Sequence, residues 1–259
     1  MSFLEDVWGF FDNADHWHGP EGIPTLLLQH LQLTVVSVLA AAALALPVGI
    51  LLGHLRKGGA LAINIANVGR ALPALALLIL AVQWFGIGNP EGILAPVRSI
   101  PAFIAMVALA IPPMVANSYV GVAGVDNEVR EAASGMGMHG RQVLWRVELP
   151  MALPLVMAGV RTAAVAVVAT ATLAAYVDAG GLGRYIVDGF AVQDNVKVFV
   201  GGLLVALLAI AVELALALFQ RGLVSRGLRT GGERIAREIE EDVAFAPGAP
   251  PAMQQVPGT

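Results

Sequence analysis

The chain has 259 residues, 57% hydrophobic and 13% charged, with a formal net charge of −4 and a mean hydropathy of +0.75. About a quarter of the residues in soluble globular chains are charged, so this composition excludes an ordinary soluble domain and points to a polytopic membrane protein. Cysteine is absent, which excludes disulfides, thiolate metal sites and a cysteine nucleophile, and no basic cluster suggests nucleic-acid binding.

The first residues, Met1–Pro20, carry acids where a cleavable signal would carry a basic region, so they do not read as one. Phe3, Leu4, Val7, Trp8, Phe10 and Phe11 recur at helical spacing among Glu5, Asp6, Asp12 and Asp15. This predicts a short amphipathic helix on the outer surface, where it would serve as an aromatic anchor. His16 and His18 are neighbours without further ligand pattern and read as a solvated interfacial stretch, with no metal site expected. Residues 1–24 are therefore expected to form an extracellular N-terminal segment, followed by a membrane domain over 25–222.

A helix needs about 20 mostly apolar residues to cross ~30 Å of hydrocarbon. Five stretches qualify: Leu31–Gly53; Ala71–Gly86, extendable backward through Ala60–Val68; Ala102–Val122; Ala152–Val177; and Val198–Phe219. The expected class is all-α, with about five core spans. Pro47 lies within the first span, and Pro112–Pro113 is expected to break the third. Residues 223–259 read as a tail, with a short solvated helix at Glu233–Asp242 and disorder after 243.

One set of loops carries Arg56, Lys57, Arg70, Arg130, Arg141, Arg146, Arg221, Arg226, Arg229, Arg234 and Arg237. The opposite set carries only Arg98, Arg184 and Lys197. The positive-inside rule places the first set in the cytoplasm, with the N-terminus outside and the C-terminus inside.

The longest cytoplasmic connection, residues 125–150, needs a reason, because spans are commonly joined by short loops. Asp126 can cap a helix through Glu128–Ala133, where Ala132 and Ala133 leave a low profile for a partner's groove. Gly135, Gly137 and Gly140 supply a turn, and a second helix over Arg141–Val147 should stop at Leu149–Pro150. This is a docking element. Its spacing is Glu131-Ala132-Ala133, three residues, Gly137, nine residues, Val147, one residue, Leu149-Pro150. It resembles the EAA loop of ABC importer permeases, with Val147 in place of the usual Ile. His30–Gly53, Glu148–Ala164 and Ala169–Gly189 are similar to permeases for glycine betaine, carnitine, choline and related osmoprotectants. Departures stand at Arg70–Ala74, Ala116 and Asp178, and they bear on the exact substrate.

The resemblance implies the fold of a type I ABC importer permease in a bacterial inner membrane. It implies a second copy or paralogue of the permease, a separate ATP-binding subunit seated on the loop, and an extracellular or periplasmic binding protein. The chain itself would bind no cofactor, since ATP and Mg belong to the partner ATPase. Transport would proceed by alternating access. An importer of another small solute, such as an amino acid, stays open, as does a stand-alone secondary transporter.

Charges within spans usually face protein or water. Arg161 can therefore line the path, act as a gate, pair with Glu213, or snorkel to the interface. Asn117 and Tyr119 follow the Pro112–Pro113 pair and can contact substrate or pack between helices. Gly180 and Gly181, in Ala179–Gly183, are expected to let the chain approach closely in an extracellular gate. That segment follows a span and lacks a Lys-Ser/Thr ending, so it is no nucleotide loop. Trp84, Phe85, Tyr176 and Tyr185 read as an interfacial aromatic belt.

Overall fold

The computed structural model describes residues 3–71, 73–86 and 99–223, which are helical apart from short connections. The helices are α1 (Phe3–Asp12), α2 (Ile23–Leu55), α3 (Gly59–Ala71), α4 (Ala74–Phe85), α5 (Ile100–Ala123), α6 (Asn127–Gly135), α7 (Gly140–Val143), α8 (Leu149–Ala171), α9 (Gly183–Val192) and α10 (Asn195–Leu223). One compact unit covers Met1–Leu218. The second, Phe219–Thr259, is described only through Leu223, as the end of α10. The expected helix at Glu233–Asp242 and the disorder after 243 lie outside the described residues, as do Arg98, Arg226, Arg229, Arg234 and Arg237.

Among the described residues, four helical stretches are long and apolar enough to cross a membrane: Ile23–Leu55, Ile100–Ala123, Gly140–Val177 and Asn195–Leu223. The second expected span takes a different form. Pro73 has extended backbone (φ −64°, ψ 126°) and caps α4, so the stretch divides into α3 and a 12-residue α4. The cause is chemical, because proline lacks an N–H and disfavours helix in the residue before it. At 1.5 Å per residue α4 spans about 18 Å, short of a bilayer core.

The third span also departs from expectation. Pro112 and Pro113 sit inside α5, which continues unbroken from Ile100 to Ala123. Neighbouring packing holds this helix, since α5 lies against α2, α3, α4 and α8. Small side chains make that centre possible: Ala41, Ala45, Ala105, Ala110 and Ala163 are buried together with Met106, Met114 and Val167. A Cβ on Gly53 would stand 2.8 Å from the Val122 Cβ, and one on Gly159 would stand 2.8 Å from the Asn117 Cβ. Such contacts show that α2 and α5 run in the same direction, with α8 antiparallel to both. The bundle therefore has a loop end, carrying residues 124–148, and a far end, carrying α1 and α9.

The N-terminal segment does more than lie on a surface. Val7 and Phe10 of α1 are buried in one cluster with Ile23, Leu26, Leu182, Tyr185 and Val200. Phe10 meets the Tyr185 ring edge-on at 5.7 Å, and His16 stacks on Phe10 at 3.7 Å. Leu4 and Trp8 stay exposed on an adjoining face, an arrangement suited to an interfacial helix. No group of three metal-ligating side chains occurs among the described residues. In α10, Leu207, Ile210, Leu214 and Leu218 form an exposed apolar stripe at helical spacing.

Candidate functional site

The loop at residues 125–150 forms a short helix, a glycine turn and a run that leads back into the bundle. Asp126 caps α6 by accepting from the Glu128 N–H at 2.9 Å, and Glu128 adds a negative charge to the first turn. The helix ends where the Gly137 N–H reaches the Ser134 carbonyl at 2.9 Å and the Met138 N–H reaches Ala133 at 3.2 Å. Gly137 has φ +86°, a conformation only glycine adopts at low cost, which explains glycine at this motif position.

The motif residues divide by face. Glu131, Ala132 and Gly137 are exposed, whereas Ala133 turns inward and is buried. Ala133 therefore does not contribute to a low outer profile; about 100° around the helix separates the face of Arg130 and Ala133 from that of Val129, Ala132 and Met136. Val129 and Met136 are exposed with Ala132, so the outward face is apolar with acidic Glu131 beside it.

The second half of the loop also differs from expectation, because no helix stops at Leu149–Pro150. Pro150 falls in the first turn of α8, and α7 continues into α8 through a widened turn over Leu144–Glu148. There the Leu149 N–H bonds to the Leu144 carbonyl, a spacing of five residues. Pro150 has no N–H to give the preceding turn, and the helix accommodates this by widening. Val147 and Leu149 are half-buried in this run, and Pro150 is exposed.

Under α6 lies a polar cluster that sequence reading used only for topology or passed over. Glu148 is fully buried. The His54 Nδ1–H donates to its Oε2 at 2.6 Å, and Arg130 Nε faces its Oε1 at 2.7 Å. Arg130 Nη2 also donates to the His54 carbonyl at 3.0 Å, at the end of α2. Arg56, with φ 50°, donates to the Asn127 side chain and, at 2.6 Å, to the Val125 carbonyl. A cavity of about 420 Å³ opens beside this cluster, bordered by His54, Arg56, Arg130, Glu131 and Ser134. One sequence signal existed: Glu148 is an acid set directly before Leu-Pro in a basic loop.

The five residues expected along a path or gate stand at separate places. Asn117 donates to the Pro113 carbonyl at 2.8 Å within α5, so its amide supports a helix that carries two prolines. Tyr119 lies at the loop end, where a Cβ on Gly59 would come within 2.9 Å of its ring. Arg161 pairs with Glu213 through Nε at 3.0 Å and through Nη2, bridging α8 and α10. The pair borders a cavity of about 580 Å³ with Ala158, Val165, Ile210 and Leu214.

Gly180 and Gly181, with φ +75° and +80°, form the far-end turn. The Gly181 N–H donates to Gln29 Oε1 at 3.0 Å, and a Cβ there would stand 3.2 Å from His30 Nδ1. His30 is buried, with Nε2 at 3.0 Å from the Val168 carbonyl. Trp84, Phe85 and Tyr176 are exposed, as an aromatic belt requires. Tyr185 departs from that group, since it is buried and donates to the Glu21 carbonyl at 2.8 Å. Burial, and then the Glu21 charge, pushes its phenol above the ordinary value.

A helical bundle with a structured, outward-facing EAA loop defines the class as a membrane transport subunit. Residues 45–225 match the family described as binding-protein-dependent transport system inner membrane component. The chain is 31% identical to the glycine betaine/carnitine/choline transport system permease protein OpuCB of Bacillus subtilis (strain 168), covering 78% of this chain and 88% of that protein. It is 35% identical to the carnitine transport permease protein OpuCB of Listeria monocytogenes, over 79% and 89%. It is 36% identical to the osmoprotectant import permease protein OsmY of Salmonella typhimurium, over 75% and 79%. Among solved structures, an inward-facing MetNI methionine ABC transporter chain superposes with a TM-score of 0.63 at 22% identity, covering 76% of this chain and 94% of that one. That likeness shows the fold. The chain belongs to the family of binding-protein-dependent transport inner-membrane components, as a multi-pass permease subunit of the ABC importer kind.

Proposed function

We propose that this permease imports quaternary-ammonium osmoprotectants of the glycine betaine, choline, carnitine and proline betaine class. The observation that carries the substrate class is identity of 31–36% over at least three-quarters of the chain to permeases named for those solutes. An ATP-binding subunit would seat on the exposed face of α6, where Val129, Ala132 and Met136 offer apolar contact and Glu131 a charge. That partner would hold ATP and Mg, a binding protein would deliver solute at the far end, and a second permease copy or paralogue would complete the pathway. The charge asymmetry of the loops supports a cytoplasmic loop end and C-terminus, with the N-terminus outside. Alternating access then couples two distant sites through a two-state bundle.

The test is uptake of labelled glycine betaine and choline into proteoliposomes holding the permease, its ATPase and its binding protein. ATP-dependent uptake, competed by carnitine and proline betaine, is expected. Uptake without the ATPase would overturn the importer assignment, and competition only by amino acids would overturn the substrate class.

A further inference from the structure

The attitude of α6 is not set by apolar packing, since Ala133 is its one buried residue. Polar contacts attach it instead, and they converge on a single carboxylate. Glu148 sits in the turn that leads into α8, with His54 of α2 on one oxygen and Arg130 of α6 on the other, at 2.6 and 2.7 Å. Arg130 simultaneously holds the carbonyl at the end of α2. Three elements therefore meet at a fully buried carboxylate, and none can rotate without breaking an ion pair or a hydrogen bond. A buried carboxylate deprived of its partners is costly, so the cluster tends to move as one body.

We propose that Glu148 is a positioning residue for transport: it makes α6, the end of α2 and the start of α8 one rigid lever that carries motion of the docked loop into the bundle. Glu148 touches neither solute nor nucleotide and acts through Arg130 and His54. The widened turn at Leu144–Glu148 points its carboxylate inward, while the motif residues around it face other ways. This inference rests on the proposed function, because a lever needs an ATPase to drive it.

The test uses Arg130→Met, Glu148→Gln, their double variant and Arg130→Lys in the reconstituted complex. Each single variant leaves an unmatched charge or polar group, whereas the double variant restores neutrality without restoring the strut. The double variant is expected in the membrane, bound to the ATPase, within about twofold of wild type. Its ratio of binding-protein-stimulated to basal ATP turnover should fall about tenfold, with solute carried per ATP falling in step. Arg130→Lys, which keeps the charge and loses the planar fork, should give an intermediate ratio at unchanged membrane level. A merely structural role would lower stimulated and basal turnover together and leave their ratio alone. A double variant with a wild-type ratio, or one that never accumulates in the membrane, would overturn the lever. Absence of any stimulation in wild type would overturn the proposed function and the lever with it.

Discussion

At the scale of single residues, the far end gives two sharp expectations. Gly181 combines φ +80° with a close approach to His30, so Gly181→Ala should cost about 1–2 kcal/mol for the left-handed backbone alone. Thermal unfolding of the detergent-solubilised protein would measure it. Tyr185 holds the N-terminal segment through its bond to the Glu21 carbonyl, and Tyr185→Phe should cost about 0.5–1.5 kcal/mol. The same variant should alter the alkaline limb of stability. The fold favours the neutral phenol, so a raised pKa contributes stability that is complete below about pH 10 and lost as pH rises above it. Unfolding followed from pH 8 to 11 should show a shallower loss in the phenylalanine variant. Sequence placed Tyr185 in a belt with Trp84 because residue type reports amphipathicity. Which ring finds a partner depends on α1 folding back over it.

At the scale of elements, the loop was the most legible part of the chain and also the most revised. Capping at Asp126 and the turn at Gly137 follow from local chemistry, and both appear where the spacing put them. The direction of Ala133 does not follow, because an Ala-Ala pair presents two faces of a helix and only the bundle decides which one is covered. A bulky or charged replacement at exposed Ala132, such as Ala132→Asp, should abolish uptake while membrane insertion survives. Normal transport by that variant would remove the loop from the mechanism. Ala133→Leu should instead lower stability by about 1–3 kcal/mol through overpacking, read as reduced thermal stability at normal α6 exposure. Pro73 and Pro112–Pro113 make the same point about prolines. One divides a stretch in two at an exposed position, and the others are absorbed where α2, α3, α4 and α8 surround α5.

At the scale of the whole molecule, charge placement and packing separate what can be inferred from each source. Arg161 and Glu213 lie 52 residues apart, yet they pair across α8 and α10 beside a cavity. Replacing Glu213 by Gln should leave Arg161 poorly matched, whereas the double replacement Arg161→Met with Glu213→Leu should recover much of the membrane level. Quantitative blotting of membrane fractions would compare the two, and equal levels would show the pair to be dispensable to the fold. Sequence by itself determined the membrane class, most of the spans, the capped helix and glycine turn of the 125–150 loop and the family, because these depend on hydropathy summed over about 20 residues and on spacing along the chain. Only the tertiary structure decided that Glu148, His54 and Arg130 meet, that Tyr185 is buried, and that Ala133 faces inward. Those facts depend on which helices touch, and a buried charge is tolerated only where distant residues arrive together to satisfy it.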